Sequence, residues 1–393
     1  MTAAARRRRH VSFREIHLGL RIKPGHSLHR LENGAVWIGP QIPGESTEIT
    51  DEAGVVWPIC RRLDGTRPRE IVVAEVLGEL PPGGETTAGD IGEIIDFFIA
   101  SGWVLDTAAP IPPELSDREV QRYRRNAEFF SSIDLRPETT GYGLQARLKA
   151  ARVAVLGLGG VGGAAAASLV GCGVGALHCV DDDTVELSNL NRQLLFTERD
   201  VGRGKVEAGV EQLRSRNSDI SITGTQARLD GADDIMRAVK DCDAFLLCAD
   251  HPGLPGEEIE QWANTAAYTC GVPWLMTGYS GPKYALACFI PGQTVCFWCL
   301  YTQHRQEQRS MGIRVDPEYL VHRDRADNPV IAPTAQIAGH FLAMETVRLL
   351  LGMAVPTAGR ELHRYVVDYD EQYYLDAQPR LDCPVGCGAL MAP

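Results

Sequence analysis

A glycine-rich turn and an acid that ends the next apolar run are the first features that could carry chemistry. In "VAVLGLGGVGG", an apolar run is followed by Gly157, Gly159 and Gly162. The first glycine permits a tight turn, the second lets the main chain approach a phosphate, and the third allows a helix to pack closely on a strand. Asp181 follows about 20 residues on, where an acid usually binds ribose hydroxyls. This pattern predicts a nucleotide site and leaves a dinucleotide and ATP both open.

Side chains suited to a triphosphate follow Asp181 in the string "DDDTVELSNLNRQ". Asn189, Arg192 and Gln193 lie just beyond the acid, and Lys205 lies further on. Arg192 and Lys205 can neutralise phosphate oxygens, whereas a nicotinamide-dependent dehydrogenase has no need of such residues. The sequence therefore favours ATP, and an oxidoreductase is the least favoured class.

Four of the eleven cysteines occur as two close pairs, Cys296 with Cys299 and Cys383 with Cys387. Tetrahedral Zn²⁺ prefers four thiolates, and two close pairs supply them with little added strain. One Cys-x-x-Cys motif could instead be a redox motif, but the second pair favours a structural zinc site. Such a site has no open coordination position and carries no catalysis.

Composition and charge exclude several classes of protein. The chain has 393 residues, 44% hydrophobic and 23% charged, and a net charge of −12, which argues against nucleic acid as the main partner. No run approaches the roughly 20 apolar residues that cross a bilayer, and the first residues lack the apolar core of a secretory signal. We therefore expect a cytoplasmic protein with no membrane partner and with cysteines that are reduced or bound to metal.

Changes in composition divide the chain into four parts. Residues 1–17 are expected to form a disordered basic tail. Residues 18–105 have the short strand and helix patterns of a small α+β domain, and residues 106–114 are proline-rich and are predicted to be a linker. Residues 115–393 alternate apolar strands with helical stretches, which predicts a Rossmann-like, mainly parallel sheet with helices on both faces.

One helix of the small domain has an ambiguous start. In "TDEAGVVWPICRRLDG", Thr50 and Asp51 are candidate caps, and apolar residues then fall on one helical face. Pro58 lies inside this pattern, so the helix is expected either to kink there or to begin later than its caps indicate.

From about residue 115 to 390 the chain resembles the ThiF/MoeB group of ubiquitin-activating-like adenylating enzymes. The matches, in order, are "LSDREVQRYRRN", the glycine turn, "SNLNRQ", "DVGRGKVE", "LLCAD", "NPVIAPTAQIAGHFLAMETVRLLLG" and the two cysteine pairs. The resemblance implies that the chain binds ATP with Mg²⁺ and splits it between the α- and β-phosphates. The nucleotide-binding residues that it implies are Gly157, Gly159, Gly160, Asp181, Asp183, Asn189, Arg192, Gln193 and Lys205.

The same resemblance implies catalytic roles for four charged residues, Arg125, Arg192, Lys205 and Asp250. Asp250 corresponds to the acid that holds Mg²⁺, and Arg125 to an arginine that reaches into the partner's active site of a homodimer. These cations would stabilise the charge that builds as a carboxylate attacks the α-phosphorus. The segment that contains Asp250, "CADHPGLPGEEIEQWAN", is richer in proline and glycine than the family's usual turn. Residues 300–382 contain no cysteine, which argues against a thioester intermediate and for an acyl-adenylate as the end of the expected chemistry.

Residues 18–105 resemble the PqqD-like peptide-recognition domain, a small winged-helix unit. The matching features are "LRIKPG", the strand pair around Trp37, "RLDGTRP" and "IIDFFIASGWVLD". The resemblance implies that the leader of a precursor peptide adds as an extra strand beside a hairpin. We expect Val36, Trp37 and Ile38 to form the edge that it pairs with, although a packing or dimerisation module is the alternative.

Together the two resemblances predict an ATP-dependent enzyme that adenylates a carboxylate on a ribosomally made precursor peptide, as microcin-type peptide-adenylating enzymes do. One alternative is a non-catalytic partner that binds the leader and delivers the precursor to a YcaO-type cyclodehydratase. The charged residues retained around the glycine turn favour catalysis over this alternative. A second alternative, activation of a sulfur-carrier protein, would leave residues 1–110 without a role.

Overall fold

The described part of this computed structural model comprises six stretches of the chain, residues 19–39, 46–136, 139–249, 258–313, 329–365 and 371–390. The chain divides into two compact units, Met1–Gln145 and Ala146–Pro393. This division lies beyond the proline-rich stretch, so the residues that directly follow that stretch group with the N-terminal unit. The basic tail expected at residues 1–17 lies outside the described residues.

Short strands and five helices make up the described N-terminal unit up to Ile133. Strands β2, β3 and β4 form one antiparallel sheet in that order, and β1 pairs antiparallel with β5. Gly34, with φ +86°, closes the turn between β2 and β3. The helices bury Ile59, Val72 and Ile91 against the sheet residue Val36. The elements are β1 (Leu20–Ile22), β2 (Leu28–Arg30), β3 (Val36–Ile38), β4 (Thr47–Ile49), α1 (Val56–Arg62), α2 (Arg69–Glu79), α3 (Ala88–Ala100), β5 (Val104–Asp106), α4 (Asp117–Arg122) and α5 (Arg124–Ile133).

Helix α1 begins later than its candidate caps and does not start at them. Both oxygens of Asp51 accept hydrogen bonds from the helix start, Oδ1 from the N–H groups of Val55 (2.7 Å) and Val56 (2.9 Å), and Oδ2 from that of Trp57 (3.1 Å). Pro58 therefore falls within the first turn, where a missing N–H leaves no intrahelical bond unmade. Of the two expected outcomes, the later start is the correct one.

An eight-stranded sheet dominates the C-terminal unit, in the order β13-β12-β11-β10-β9-β6-β7-β8. The five strands from β10 to β8 are parallel, and β11, β12 and β13 extend the sheet antiparallel. This arrangement confirms the predicted Rossmann-like, mainly parallel sheet. The strands are β6 (Arg152–Leu156), β7 (Ala176–Asp181), β8 (Ser221–Gln226), β9 (Ala244–Leu247), β10 (Trp274–Ser280), β11 (Lys283–Phe289), β12 (Arg360–Tyr365) and β13 (Gln372–Asp376).

Helices connect these strands and bury the apolar sheet. Gly339 lets two of them, α7 and α12, approach closely, because a Cβ at this position would lie 2.4 Å from the Val161 carbonyl oxygen. In the described residues, no helix is long and apolar enough to cross a membrane. The helices are α6 (Gly141–Ala150), α7 (Gly160–Cys172), α8 (Lys205–Arg216), α9 (Ala232–Val239), α10 (Glu258–Cys270), α11 (Phe297–Ser310), α12 (Ala332–Leu350) and α13 (Cys387–Leu390).

Candidate functional site

The glycine turn lies where the order of the parallel strands reverses. Chain order runs outward from β6 through β7 to β8 on one side and from β9 to β10 on the other. The carboxyl ends of β6 and β9 are therefore neighbours, and a Cβ on Gly157 would lie only 2.6 Å from the Ala249 nitrogen. In open α/β sheets, the crevice outside the carboxyl ends at such a switch point is the usual ligand site.

Glycine is favoured at each of three positions of the turn for a different geometric reason. Gly157 has φ +94°, a backbone conformation that favours glycine. A Cβ on Gly162 would lie 1.8 Å from the Gly157 carbonyl oxygen, so the helix start packs directly on the turn. The space beside Gly159 is unoccupied, because the atom nearest to a Cβ placed at this position would be Gln193 Nε2, at 3.9 Å. The first N–H groups of α7 have no intrahelical partner and can bind an anion here.

Asp181 is tied to the turn through backbone hydrogen bonds. Its Oδ2 accepts from the Leu158 N–H (2.6 Å) and its Oδ1 from the Asp183 N–H (2.9 Å). Burial raises the pKa of this carboxyl above its ordinary value, although the charge of Lys205 and the two N–H groups oppose the rise. A carboxylate has about four acceptor positions, so about two remain for the hydroxyls of a ribose.

Lys205 is paired with Asp183 at the beginning of α8. Its Nζ lies 2.7 Å from Asp183 Oδ2, and the Lys205 N–H also donates to the Asp183 carbonyl oxygen (2.9 Å). The lysine side chain is 8% exposed and the aspartate side chain 65%. Asp183 therefore neutralises a buried ammonium from the solvent side and holds it at the end of the sheet.

The three predicted ligands in the segment "SNLNRQ" differ in their burial and in their hydrogen-bond partners. Asn189 is buried, and its Oδ1 accepts from the Glu186 N–H (3.1 Å), so this side chain stabilises its own turn. Gln193 is 4% exposed and its Oε1 has no hydrogen-bond partner. Arg192 is half-buried, and one of its guanidinium nitrogens donates to the Ser188 carbonyl oxygen (3.1 Å). In the described residues, no carboxylate pairs with the Arg192 guanidinium.

Two predicted catalytic residues, Arg125 and Asp250, lie outside the described part of the C-terminal unit that forms the crevice. Arg125 is an exposed residue of α5 in the N-terminal unit. Asp250 lies outside the described residues and follows Leu247, the last residue of β9, by three positions in the sequence. Their predicted roles therefore remain predictions.

The four paired cysteines come together between α11 and the C-terminal segment. Sγ–Sγ distances are 3.5 Å for Cys296 and Cys383, 3.6 Å for Cys299 and Cys387, and 3.7 Å for Cys383 and Cys387. All four sulfurs lie within 4.8 Å of one another. Tetrahedral Zn²⁺ with Zn–S bonds of about 2.3 Å spaces its sulfurs by about 3.8 Å, so the donor set fits this ion.

Val36, Trp37 and Ile38 do not form a sheet edge, so this prediction is wrong. They make up β3, the central strand, whose residues pair with β2 on one side and with β4 on the other. Val36 and Ile38 are also buried in the core. In the described three-stranded sheet, the outer strands are β2 and β4.

A residue that sequence reasoning missed lies at the start of α12. Gln336 Nε2 donates to the carbonyl oxygens of Arg192 (3.0 Å) and Gly160 (3.2 Å), which joins two parts of the crevice. Gln336 is 144 residues from Arg192 in the chain. No spacing rule connects positions so far apart, so the sequence carried no signal for this contact.

The fold and the crevice define a nucleotide-binding protein of the Rossmann-like class. Residues 131–384 match the model of the ThiF family, and the chain belongs to this family. It is 30% identical over 281 residues to the sulfur carrier protein ThiS adenylyltransferase of Escherichia coli (strain K12), a match that covers 71% of this chain and 99% of that protein. It is 34% identical over 260 residues to the molybdopterin-synthase adenylyltransferase of Salmonella typhimurium (strain LT2), covering 65% and 90% of the two chains. The chain is accordingly an enzyme, an adenylyltransferase.

The fold also resembles solved structures of E. coli MccB. The structure of MccB with ATP matches with a TM-score of 0.72 and 21% identity, over 93% of this chain and 99% of that one. The microcin C7 biosynthetic enzyme MccB in complex with N-formylated MccA matches with a TM-score of 0.70 and 20% identity, over the same shares of the two chains. At this identity the likeness concerns the fold alone, and it extends over most of both units.

Proposed function

We propose that the chain uses ATP to adenylate a carboxylate of a ribosomally synthesised precursor peptide, whose leader is held by the N-terminal unit. The observation that carries the nucleotide part is the crevice at the switch point. The turn, the half-buried Asp181 and the start of α7 lie together there, and the Arg192 guanidinium has no carboxylate partner among the described residues. A helix start beside an arginine favours a polyphosphate anion.

The likeness to MccB supports a peptide as the second substrate. MccB has been solved with ATP and with N-formylated MccA, and its fold matches 93% of this chain. That share includes most of the N-terminal unit. The match to the ThiS adenylyltransferase covers 71% of the chain and leaves more of it without a counterpart.

The proposed reaction is a displacement at the α-phosphorus. A carboxylate oxygen of the peptide bonds to this phosphorus, the bond to the bridging oxygen of the β-phosphate breaks, and pyrophosphate leaves. Arg192 and Lys205 would stabilise the developing charge, as would Arg125 from the second protomer of a homodimer. Mg²⁺, for which Asp250 is the proposed ligand, would neutralise phosphate oxygens. Since residues 300–382 contain no cysteine, we propose that the acyl-adenylate passes to another nucleophile and forms no enzyme thioester.

A structural Zn²⁺ held by the four cysteines is part of the proposal. The sulfur separations agree with tetrahedral thiolate coordination, and Cys299 Sγ also accepts a hydrogen bond from the Arg380 N–H (3.4 Å). Four protein ligands close the site, so the ion would join the C-terminal segment to α11 and would supply no chemistry.

We further propose that a PqqD-like mode of leader binding uses an outer strand of the three-stranded sheet. Strand β4 is the better candidate, because Thr47 and Glu48 are exposed, whereas Leu28 and His29 of β2 are half-buried. An extended peptide can pair with such a strand through main-chain hydrogen bonds.

One alternative has specific support, and a second is kept as an outcome of the test. The names of the curated relatives favour a sulfur-carrier protein as the substrate. A docking partner for a separate YcaO-type enzyme remains the alternative if the chain binds a leader without turning over ATP.

The experiment that tests the proposal is nucleotide consumption by the purified full chain with Mg²⁺ and a candidate precursor peptide, resolving AMP from ADP. We expect peptide-dependent release of pyrophosphate, lost in Asp250→Ala and Arg125→Ala, with the AMP moiety bound to the peptide until water or another nucleophile frees it. Tight leader binding without release of pyrophosphate would leave the docking alternative. Release of pyrophosphate with a sulfur-carrier protein but not with the peptide would favour the sulfur-carrier alternative.

A further inference from the structure

We propose that Gln336 is a positioning residue that fixes the main chain of Arg192 against the glycine turn and so sets where the Arg192 guanidinium meets the triphosphate. The inference rests on the proposed function only in taking ATP as the ligand of the crevice. It concerns a residue outside both the glycine turn and the "SNLNRQ" segment. The contacts of its side chain are with the main chain of Arg192 and Gly160, so the role assigned to Gln336 is exerted through Arg192.

A single side-chain amide bridges two segments of the site. Gln336 lies near the start of α12 and is half-buried, and its Nε2 is 3.0 Å from the Arg192 carbonyl oxygen and 3.2 Å from that of Gly160. The two carbonyl oxygens are both acceptors and cannot bond to each other. A primary amide has two N–H hydrogens on one nitrogen, so it can serve both oxygens at once.

The main chain around this bridge is tightly packed. A Cβ on Gly160 would lie 2.9 Å from the Ala335 Cβ and 3.2 Å from the Arg192 carbonyl oxygen. A second contact joins the same segments, because Asn191 Nδ2 donates to the Val330 carbonyl oxygen (3.3 Å). The chain around Arg192 is therefore held at two points, by Val330 just before α12 and by Gln336 within it, and Gln336 is the one that also reaches the turn.

Arg192 depends on this support more than Lys205 does. Its guanidinium donates to the Ser188 carbonyl oxygen (3.1 Å) and to Asn191 Oδ1 (3.0 Å), which both belong to its own segment. Lys205 is instead fixed by its ion pair with Asp183. The place of the Arg192 charge relative to the turn is thus set by main-chain contacts, and the attraction between this charge and a phosphate weakens with distance.

The test compares two ligands that differ only in their phosphates. MgATP and adenosine are each titrated by calorimetry into the full chain without peptide, for the wild type, Gln336→Glu and Gln336→Met. Methionine keeps the approximate volume and loses both donors without adding a charge, so it is the decisive variant; glutamate also loses both donors but adds a carboxylate that itself repels phosphate. Loss of the bridge is expected to weaken MgATP binding about tenfold and to leave adenosine binding within about twofold.

A matched control is provided by His340→Met on the same helix. His340 Nδ1 and Ser168 Oγ are hydrogen-bonded (2.7 Å) and join α12 to α7 away from the crevice. This variant should bind both ligands as the wild type does. If it shows the same selective loss of MgATP, helix packing in general and not Gln336 sets the Arg192 position, and the proposal is overturned.

A double-mutant cycle with Arg192→Ala gives the sharpest readout. In the Arg192→Ala variant, the additional change Gln336→Met should cause no further loss of MgATP affinity, because the guanidinium that Gln336 positions is absent. Equal losses in both backgrounds, unchanged MgATP affinity in both Gln336 variants, or a uniform loss of both ligands would each overturn the proposal. A chain that shows the selective loss and yet adenylates no peptide would sustain this inference while removing the proposed function.

Discussion

At the scale of single residues, Asp181 is the best-defined part of the candidate site. Its two oxygens each accept one backbone N–H, from the turn and from its own strand end. This leaves about two acceptor positions for ribose hydroxyls, which bind the ionised form of the carboxyl. Because burial raises the pKa of Asp181, protonation should begin at a higher pH than for an ordinary aspartate.

The expected consequence is a pH-dependent affinity for adenosine, a ligand without titrating phosphates. Affinity should fall as the pH is lowered towards the raised pKa of Asp181, since the protonated carboxyl loses acceptors for the ribose, and the fall should begin at a higher pH than for an ordinary aspartate. Asp182→Asn, which changes the exposed neighbouring carboxyl, should keep this profile. Calorimetric titrations at stepped pH measure it, with 2′,3′-dideoxyadenosine as a ligand that should bind weakly at every pH. A flat profile down to pH 4 would show that Asp181 does not bind the ribose.

Removing Asp183 should destabilise the protein more than removing its partner Lys205. Asp183→Ala should lower the free energy of unfolding by about 1–3 kcal/mol, because it leaves a buried ammonium without its acceptor. Lys205→Met should change stability by less than about 1 kcal/mol, because it leaves behind a carboxylate that solvent can reach, but it should weaken ATP binding. Chemical denaturation and ATP titrations separate the two effects. Equal stabilities for the two variants would contradict this account of the pair.

The sequence predicts those site residues whose positions are fixed by neighbouring elements of the chain. Gly157 and Asp181 lie at spacings fixed by one strand, one turn and the next strand, so their geometry follows from chain order. Asn189 Oδ1 accepts a hydrogen bond from the main chain of its own turn, a local role that the sequence does not indicate, and its contact with phosphate stays a prediction. Gln336 could not be predicted, because its contact with Arg192 depends on how α12 packs on the sheet.

At the scale of elements, the three-stranded sheet of the N-terminal unit differs from expectation. The hairpin of β2 and β3 was recognisable from its turn, but β4 consists of three residues, too few to show an alternating pattern. Its pairing with β3 converts the expected edge into the centre of the sheet. The predicted strand therefore exists, and we propose an outer strand in its place as the one that pairs with a leader peptide.

Hydrogen exchange can show where a leader peptide adds. The proposal predicts slower amide exchange in Thr47–Ile49 when a precursor peptide is bound, because an outer strand gains main-chain partners. Val36–Ile38 already pairs on both sides and should change little. New protection confined to Leu28–Arg30 would place the leader on the other outer strand. Binding without protection in either strand would exclude strand addition.

The four-cysteine cluster predicts one tightly bound Zn²⁺ per chain. Cys299→Ser should lose the ion and lower the melting temperature, while ATP affinity should stay near that of the wild type because the site carries no chemistry. Elemental analysis and thermal unfolding measure the two effects. Cys270→Ser, a cysteine outside the cluster, should keep the full zinc content and serves as the control. Purified wild-type chain with less than about half an equivalent of zinc, and equal stability after treatment with a chelator, would contradict the assignment.

At the scale of the whole molecule, the order of several motifs along the chain indicated the family, which no single motif could do. The glycine turn alone fits several classes of nucleotide-binding protein, whereas the turn, "SNLNRQ", "DVGRGKVE" and the cysteine pairs together indicated the family that residues 131–384 match. The antiparallel extension of the sheet and the division after Gln145 were not predicted, because they depend on contacts between distant parts of the chain. The identity of the acyl substrate is not encoded in any local pattern.

The central claim, reversible adenylation of a peptide carboxylate, is tested most directly by exchange of labelled pyrophosphate into ATP. The full chain is incubated with MgATP, labelled pyrophosphate and a precursor peptide, with a peptide lacking its leader as the control. We predict exchange that requires the intact peptide and is abolished in Arg192→Ala, because the acyl-adenylate forms and reverts at the crevice. Absence of exchange while MgATP and the peptide both bind would contradict the claim and favour the docking alternative.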